Sequence, residues 1–245
     1  MHRNFFIAIF FIILASCSSD NNQVSRLSEL VKPSFNISTG IIDCKLKSDN
    51  SLIDLESFLS RISISKLIDL EANNNISVLF PDGSDYVDSF LIQVSLNSSK
   101  EVNSIYTKFI DAGLDNIANC RQDFKSRNLS VIFNSLDQVN SSDYVITEVL
   151  NCSYNESYNF GTFLIAIDRL IQQINFFNPN YWIDYIDVND SDNFIWINRF
   201  EKSYYEDVLP EIWVQNINDS KEIQDEFREN ATCEASKKYK EFNIG

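Results

Sequence analysis

The sequence predicts an α+β chain in which one β-α-β-β-α-β order is written twice, and three observations point there. Tyr181 to Phe200, YWIDYIDVNDSDNFIWINRF, sets two runs rich in aromatic and β-branched residues about DVNDSDN, whose Asp and Asn side chains suit a tight reversal. That pattern reads as a β-hairpin, and because both of its faces are largely apolar, both need cover. Apolar periodicity on either side of a polar stretch, residues 134–142, then repeats in one order. Four cysteines, Cys44, Cys120, Cys152 and Cys233, keep step with it at separations of 76 and 81 positions.

In the first half, Gly40 to Leu46 reads as a strand. Asp49 or Ser51 caps a helix carrying Leu52, Leu55, Phe58, Leu59 and Ile62, continued after a break by Leu67, Ile68 and Leu70. Ile76 to Phe80 is a strand stopped by the turn Pro81-Asp82-Gly83, and Val87 to Leu96 is the next. Ser98 or Ser99 caps a helix with Val102, Ile105, Tyr106, Phe109 and Ile110 on one face, ending near Gly113. Asp115 to Phe124 reads as a further helical piece holding Cys120, and Asn128 to Phe133 as a closing strand.

The second half repeats this. Tyr144 to Cys152 is a strand, and Tyr158 to Phe177 is the strongest helix, with Phe160, Phe163, Leu164, Ile167, Leu170, Ile171 and Ile174 on one broad face. The hairpin supplies two strands. Ser203 caps a helix through Val208, Ile212, Trp213 and Ile217, bent or interrupted by Pro210. Lys221 to Cys233 forms a second helical piece, and Lys238 to Ile244 a last strand.

The chain begins MHRNFFIAIFFIILASC: a basic start at Arg3, an apolar run from Phe5 to Leu14, and small residues before a cysteine. That plan marks an export signal, and the run is shorter than the roughly 20 residues a spanning helix needs. Leu14-Ala15-Ser16-Cys17 resembles the lipobox of bacterial lipoproteins. The resemblance implies diacylglyceryl transfer to the Cys17 thiol, cleavage after Ser16 and acylation of the new amino terminus. Acyl chains contributing about 0.8 kcal/mol per buried methylene would then hold the protein on a membrane. Ser18 after the cysteine, rather than Asp, favours by the same resemblance the outer membrane, facing periplasm or surface. Residues 17–39, polar and carrying Pro33, read as a flexible tether.

Removing residues 1–16 deletes Arg3 and no acid, leaving 19 basic and 35 acidic residues and a net charge of −16. A broad basic patch for nucleic acid or anionic lipid head groups is therefore not expected. The single histidine, His2, leaves with the signal, so the mature chain cannot build a Ser-His-Asp or Cys-His site, nor a His-ligated zinc or haem. Four cysteines in an exported chain suggest two disulfides in one of three connectivities. None forms a CxxC pair, so neither a metal knuckle nor a thioredoxin-like motif is indicated, and no cofactor is expected. DVNDSDN, with Asp184 before it, invites calcium, but it lacks the glycine and closing Glu of an EF-hand loop and reads as a solvated turn, with no metal site.

The β-α-β-β-α-β order is that of the ferredoxin-like fold, giving one unit at residues 40–133, a linker at 134–142 and a second unit at 143–245. In that fold the last strand starts beside the end of the first, which implies the pairs Cys44–Cys120 and Cys152–Cys233. Two such units can cover one face of each sheet with helices and bring the other faces together. In this the chain resembles the dimeric α+β-barrel superfamily in a tandem single-chain form. That superfamily includes cofactor-independent monooxygenases, haem-degrading enzymes and chlorite dismutase-like enzymes; the histidine several of them use for haem has no counterpart here.

Glu148, Arg169, Tyr185, Trp196 and Arg199, with Asn198, form a candidate pocket in the second half, where aromatic walls and an Arg could hold a small anionic or aromatic ligand. Aromatic stripes at strand spacing more often mean packing, so Tyr185 and Trp196 are first read as core, and Arg199 as paired with a carboxylate at the sheet edge. Asn198 and Arg199 point to opposite faces. The leading expectation is a membrane-anchored envelope lipoprotein acting as a non-enzymatic binding or interaction module for a small molecule or an envelope protein. The alternative is a cofactor-independent, monooxygenase-like barrel enzyme acting on a small organic molecule. An enclosed pocket with convergent polar groups separates the second from the first.

Overall fold

The computed structural model describes residues 37–62, 75–83, 88–121, 126–134, 144–176, 180–188, 192–202, 205 and 217–244. The export signal (1–16), Cys17, the tether as far as residue 36, the linker from residue 135, the hairpin tip at 189–191, the helical continuation at Leu67–Leu70 and, apart from Tyr205 and Ile217, the helix expected from Ser203 through Ile217 lie outside the described residues. No helix among the described residues is long and apolar enough to cross a membrane.

The elements run β1 (Ile37–Leu46), α1 (Leu52–Arg61), β2 (Asn75–Pro81), β3 (Ser89–Leu96), α2 (Ser99–Asp111), α3 (Leu114–Ile117), β4 (Ala118–Cys120) and β5 (Arg127–Asn134). They continue with β6 (Val145–Tyr154), α4 (Phe160–Phe176), β7 (Tyr181–Asp187), β8 (Asn193–Glu201), α5 (Ile217–Asn230), β9 (Ala231–Cys233) and β10 (Lys237–Asn243). Local chemistry fixes several ends. The Ser51 amide and hydroxyl both donate to Asp54 Oδ2, at 2.8 and 2.7 Å, closing a capping box at the start of α1. Asn159 Oδ1 accepts from the Gly161 amide at 2.8 Å and caps α4. Gly113, at φ 100°, supplies the left-handed turn between α2 and α3.

Among the described residues every strand pairing is antiparallel, and eight strands close on themselves in the order β2-β3-β1-β5-β7-β8-β6-β10, with β10 returning to β2. The result is a mixed α+β fold around a closed eight-stranded antiparallel barrel. The two short strands stand off that ring: β4 pairs with the end of β1 and β9 with the end of β6. Disulfides join Cys44 to Cys120 and Cys152 to Cys233 at those pairings.

The helices cover the outer surface of the barrel. Outward-facing Ile42, Phe90, Ile92 and Val94 pack with Leu55 and Phe58 of α1 and Val102, Ile105 and Phe109 of α2 in one buried cluster. In the second half the outer layer is aromatic. Phe163 of α4 meets Phe194 and Trp196, with ring centroids 5.2 and 5.7 Å apart, and Phe227 of α5 at 4.9 Å. Burying each such ring contributes on the order of 2 kcal/mol, which is what anchors two helices of mixed polarity to the sheet.

Three sequence-derived boundaries are corrected. The tether was expected to reach residue 39 and the first strand to begin at Gly40, but β1 begins at Ile37. Ile37 pairs with Leu129 of β5, and the Thr39 hydroxyl donates to Val94 O at 3.1 Å, so residues that look polar in isolation are held in the ladder. Asn134, assigned to the linker, is the last residue of β5 and pairs with Trp182. Cys120 and Cys233 were placed in helical pieces, yet both sit in three-residue strands. Backbone bonds draw them out of the helix: Arg121 N–H donates to Asp43 O and Glu234 N–H to Asn151 O, each at 2.9 Å.

Candidate functional site

The register decides which side chains enter the barrel, because partners across an antiparallel pair share a face and successive residues alternate. On β8 and β7 the pairs Ile195–Ile186, Ile197–Asp184 and Arg199–Trp182 face inward, while Trp196–Tyr185 and Asn198–Ile183 face the helices. Leu129, Ile186, Ile195 and Ile197, with Ile37, Ile41, Val131 and Val149 against them, form an apolar cluster inside.

This separates the residues that the sequence grouped as one pocket. Tyr185 lies outside, stacked against Phe194 and bonded hydroxyl to hydroxyl with Tyr154 at 3.0 Å. Trp196 is also outside, its Nε1–H donating to Asn198 Oδ1 at 2.7 Å. Arg169 stands on α4 and pairs with Glu226 of α5 at 2.7 Å. Glu148 accepts from the Tyr205 hydroxyl at 3.2 Å. Arg199 alone of the five points into the barrel. The grouping is therefore corrected: the pleat sends neighbouring members of the set to opposite faces, and the helix places Arg169 beyond the sheet.

Arg199 pairs with carboxylates, in the barrel interior rather than at a sheet edge. Its Nε donates to Glu241 Oε2 at 2.7 Å, Nη1 to Asp184 Oδ2, and Nη2 to Gln93 Oε1 at 2.9 Å. Arg199, Asp184 and Glu241 are 5 %, 2 % and 5 % exposed, so all three charges are held away from water. Burial alone would discharge the guanidinium, but Glu241 and Asp184 keep it firmly protonated. Burial pushes the Asp184 carboxyl above its ordinary range despite Arg199. Burial pushes on Glu241 too, but Arg199 and the hydroxyls of Thr147 and Ser77 outweigh it and leave that carboxyl below its ordinary range.

Among the described residues one mouth of the barrel is open above this layer. A cavity of about 410 Å³ is lined by Ile41, Asp43, Pro81, Leu91, Arg121, Arg127, Val149, Asn151, Ile195, Lys237 and Tyr239, together with Ser89 and Phe90. Its size falls within the range of about 300–1,000 Å³ typical of small-molecule sites. Tyr239 and Glu241 are alternate residues of β10, so the buried charge layer lies roughly 7 Å, two strand residues, below the cavity. The half-buried Ile41, Leu91 and Val149 and the buried Ile195 make an apolar floor, and Asp43, Arg121, Arg127, Asn151 and Lys237 a polar rim. Burial and the Asp43 charge raise the Tyr239 phenol, which keeps its proton and serves as a hydrogen-bond donor. Among the described residues Asp43 is the single carboxylate on the lining, 3.6 Å from the Arg121 guanidinium. A carboxylate base, a protonated phenol and cations facing an apolar floor can take a proton from an organic substrate and hold the anion left behind.

Sequence reading missed this group because its members come from seven strands and the segment after β4, and only barrel closure unites them. The usable signal was alternation in β1 and β10, where Asp43 follows Ile41, and Lys237, Tyr239 and Glu241 share one face.

Both disulfides stand at this mouth. Asp43 precedes Cys44 and Arg121 follows Cys120; Asn151 precedes Cys152 and Glu234 follows Cys233. Asn151 Nδ2 donates to Glu234 Oε2 at 3.2 Å, so each bridge fixes a polar pair on the rim.

A haem held by histidine or thiolate does not fit these residues: the sole histidine of the sequence is His2, and the four cysteines of the described residues are in disulfides. Among the described residues, no group of three or more His, Cys, Asp and Glu side chains is placed to hold a metal ion.

No protein-family model matches the chain, nor does any curated protein sequence. Solved structures do match in fold. A "putative monooxygenase" from Lactobacillus acidophilus is 11% identical at a TM-score of 0.56, over 85% of this chain and 94% of that one. A second "putative monooxygenase", from Fusobacterium nucleatum, is 10% identical at 0.55, over 85% and 93%. A variant chlorite dismutase from Candidatus Nitrospira defluvii is 10% identical at 0.56, over 90% and 96%. These neighbours share the α+β barrel. The expectation of a non-enzymatic binding or interaction module is corrected against them, since the chains that share this architecture are named as enzymes, and the mouth carries the pocket with convergent polar groups that the enzyme alternative requires.

Proposed function

We propose that this chain is a cofactor-independent barrel enzyme, monooxygenase-like, that acts on a small organic molecule at the barrel mouth. The observation that carries the reading is the convergence of Asp43, Arg127, Lys237 and Tyr239 over an apolar floor in a cavity of about 410 Å³. Asp43 takes a proton from an activated methylene of the substrate, Arg127 and Lys237 hold the resulting enolate, and Tyr239 donates a hydrogen bond to its oxygen. Dioxygen is the co-reactant. The methylene becomes a carbonyl, one oxygen atom entering the substrate and the other leaving as water, and the substrate supplies all four electrons.

The architecture supporting this reading is a pair of tandem ferredoxin-like units. The long strands of residues 37–134 lie in the order β2-β3-β1-β5, those of 145–243 in the order β7-β8-β6-β10, and each half has its own disulfide. The units join where β5 meets β7 and β10 meets β2.

The lipobox Leu14–Cys17 supports an envelope location: a lipid on Cys17 would tether the barrel to a membrane, with the outer membrane favoured by Ser18. Intact mass of the mature protein, taken with and without reductant, tests the lipid and both bridges. Retention of residues 1–16, or a mature Cys17 without lipid, removes the anchoring part.

The reaction is tested with an oxygen electrode and a panel of aromatic ketones that carry an activated methylene. Oxygen uptake that is lost about 100-fold or more in Asp43→Asn supports it, since a positioned base contributes roughly 10²–10⁴-fold. Uptake that is the same with the variant as with the unaltered chain removes Asp43 from the chemistry.

A further inference from the structure

We infer that the mouth cavity is built for an amphiphilic monoanion, an apolar body bearing a single carboxylate or enolate, recognised from opposite walls of the barrel by Arg127 and Lys237. The inference rests on the proposed reading of the mouth as the working site and narrows its substrate class.

The ring order places the two cations. β5, which begins with Arg127, and β10, which begins with Lys237, stand four strands apart in a ring of eight, so they approach the mouth from facing sides. The interior of an eight-stranded barrel is just wide enough for side chains or one small ligand. Here the deeper level is occupied by Arg199, Asp184, Glu241 and Gln93. Shorter residues toward the mouth, Ser89, Pro81 and Asn151, leave the space above it.

Charge then selects the ligand. The chain carries 20 basic against 35 acidic residues, so an anion meets repulsion over most of its surface. Among the described residues of the lining the balance reverses. Arg121 faces Asp43 at 3.6 Å, and Asn151 of the lining holds Glu234 beside it at 3.2 Å, so Arg121, Arg127 and Lys237 stand against Asp43 on the lining and Glu234 next to it, an excess of one positive charge among these described groups. Neither Arg127 nor Lys237 has an ion-pair partner among the described residues. A monoanion neutralises that excess, whereas a dianion would face Asp43 and Glu234 uncompensated. The floor of Ile41, Leu91, Val149 and Ile195 offers nothing to a small hydrated ion and a contact face to a ring or acyl body. Arg127 adds selection by geometry, because its fork matches the two oxygens of a carboxylate.

The test is calorimetric titration of the folded, disulfide-intact chain with 1-naphthoate, 1-naphthamide and inorganic phosphate. Naphthoate is expected to bind at least 10-fold more tightly than the isosteric amide at low ionic strength, with the preference shrinking at high salt, and phosphate is expected to bind too weakly to measure. Arg127→Gln combined with Lys237→Gln should abolish the preference without moving the urea midpoint, while Arg127→Lys should retain most of it. Equal affinity for acid and amide, a preference that survives the double variant, or phosphate binding as tight as naphthoate overturns the inference. Oxygen uptake is read on the same protein preparations with the panel of aromatic ketones that carry an activated methylene. Charge-selective binding without any uptake keeps the anion site and removes the monooxygenase reading; uptake without charge selection does the reverse.

Discussion

Arg199 Nε lies 2.7 Å from Glu241 Oε2 at the centre of the barrel, joining β8 to β10 through a bond between two side chains withdrawn from water. The same guanidinium reaches Asp184 on β7 and Gln93 on β3, so four strands drawn from both halves of the chain meet at one residue. Removing the cation leaves two buried carboxylates with no counter-charge. Arg199→Met should therefore cost about 3–5 kcal/mol in urea unfolding, and adding Asp184→Leu and Glu241→Leu should recover most of the loss. A single variant as stable as the unaltered chain would mean that water reaches this layer.

The two carboxylates of that layer pull stability in opposite directions with pH. Glu241 has its folded pKa below the ordinary 4.5, so its contribution is complete above that value and is lost as pH falls through the folded one. Asp184 has its folded pKa above the ordinary 3.8, so the folded chain keeps a proton the unfolded chain gives up, and stability falls as pH rises through that window. Urea midpoints measured from pH 3 to pH 7 should show a shallower acid loss below 4.5 for Glu241→Gln. For Asp184→Asn the stability relative to the unaltered chain should rise with pH. Parallel curves for all three proteins would contradict these assignments.

Each disulfide closes a long loop, with 76 and 81 positions between its cysteines. In the chain-entropy model either bridge contributes about 4 kcal/mol, so Cys44→Ala with Cys120→Ala should lower the unfolding free energy by about that much. The same pair of substitutions frees β4, and with it Arg121, from the rim, so naphthoate affinity should change where Cys152→Ala with Cys233→Ala leaves the Asp43–Arg121 corner intact. Unfolding curves that coincide with those of the parent would mean the bridges constrain nothing beyond the native ladder.

Tyr154, Tyr185 and Tyr239 are all raised above the ordinary phenol pKa of 10.0, chiefly by burial. In an ultraviolet titration, at least three of the ten tyrosines should ionise after the rest. Tyr239→Phe should remove one of the late group and weaken anion binding, whereas Tyr185→Phe should remove one and leave binding unchanged, since its ring stacks on the helix side of the sheet. An early-ionising Tyr239 would place that phenol in open water.

Much of the architecture was legible because it is written in local pattern. The 181–200 hairpin pairs Tyr181 with Phe200 through to Asp187 with Phe194, as alternating aromatic and β-branched runs about a polar turn imply. The pairing of Cys44 with Cys120 and of Cys152 with Cys233 followed from strand order. Elements of three residues were not legible: β4 and β9 are too short to show a period, and each follows a helix whose pattern runs into it.

The site was legible only in part, for a different reason. Alternation placed Asn198 and Arg199 on opposite faces but could not say which face turns inward, since both are apolar. Arg199 lies 15, 42 and 106 positions from Asp184, Glu241 and Gln93, and nothing in the neighbourhood of any one of them names the others. The mouth depends still more on closure, because Asp43 and Arg127 come to face Lys237 across it only when β10 pairs with both β2 and β6.

A crystal structure of the chain soaked with 1-naphthoate tests the central claim most directly. The account predicts the naphthalene ring on Ile41, Leu91, Val149 and Ile195, with its carboxylate between Arg127 and Lys237 and within reach of the Tyr239 hydroxyl. Ligand found instead among Phe163, Trp196 and Phe227 beneath α4 and α5, or a mouth that stays vacant at saturating naphthoate, would contradict it.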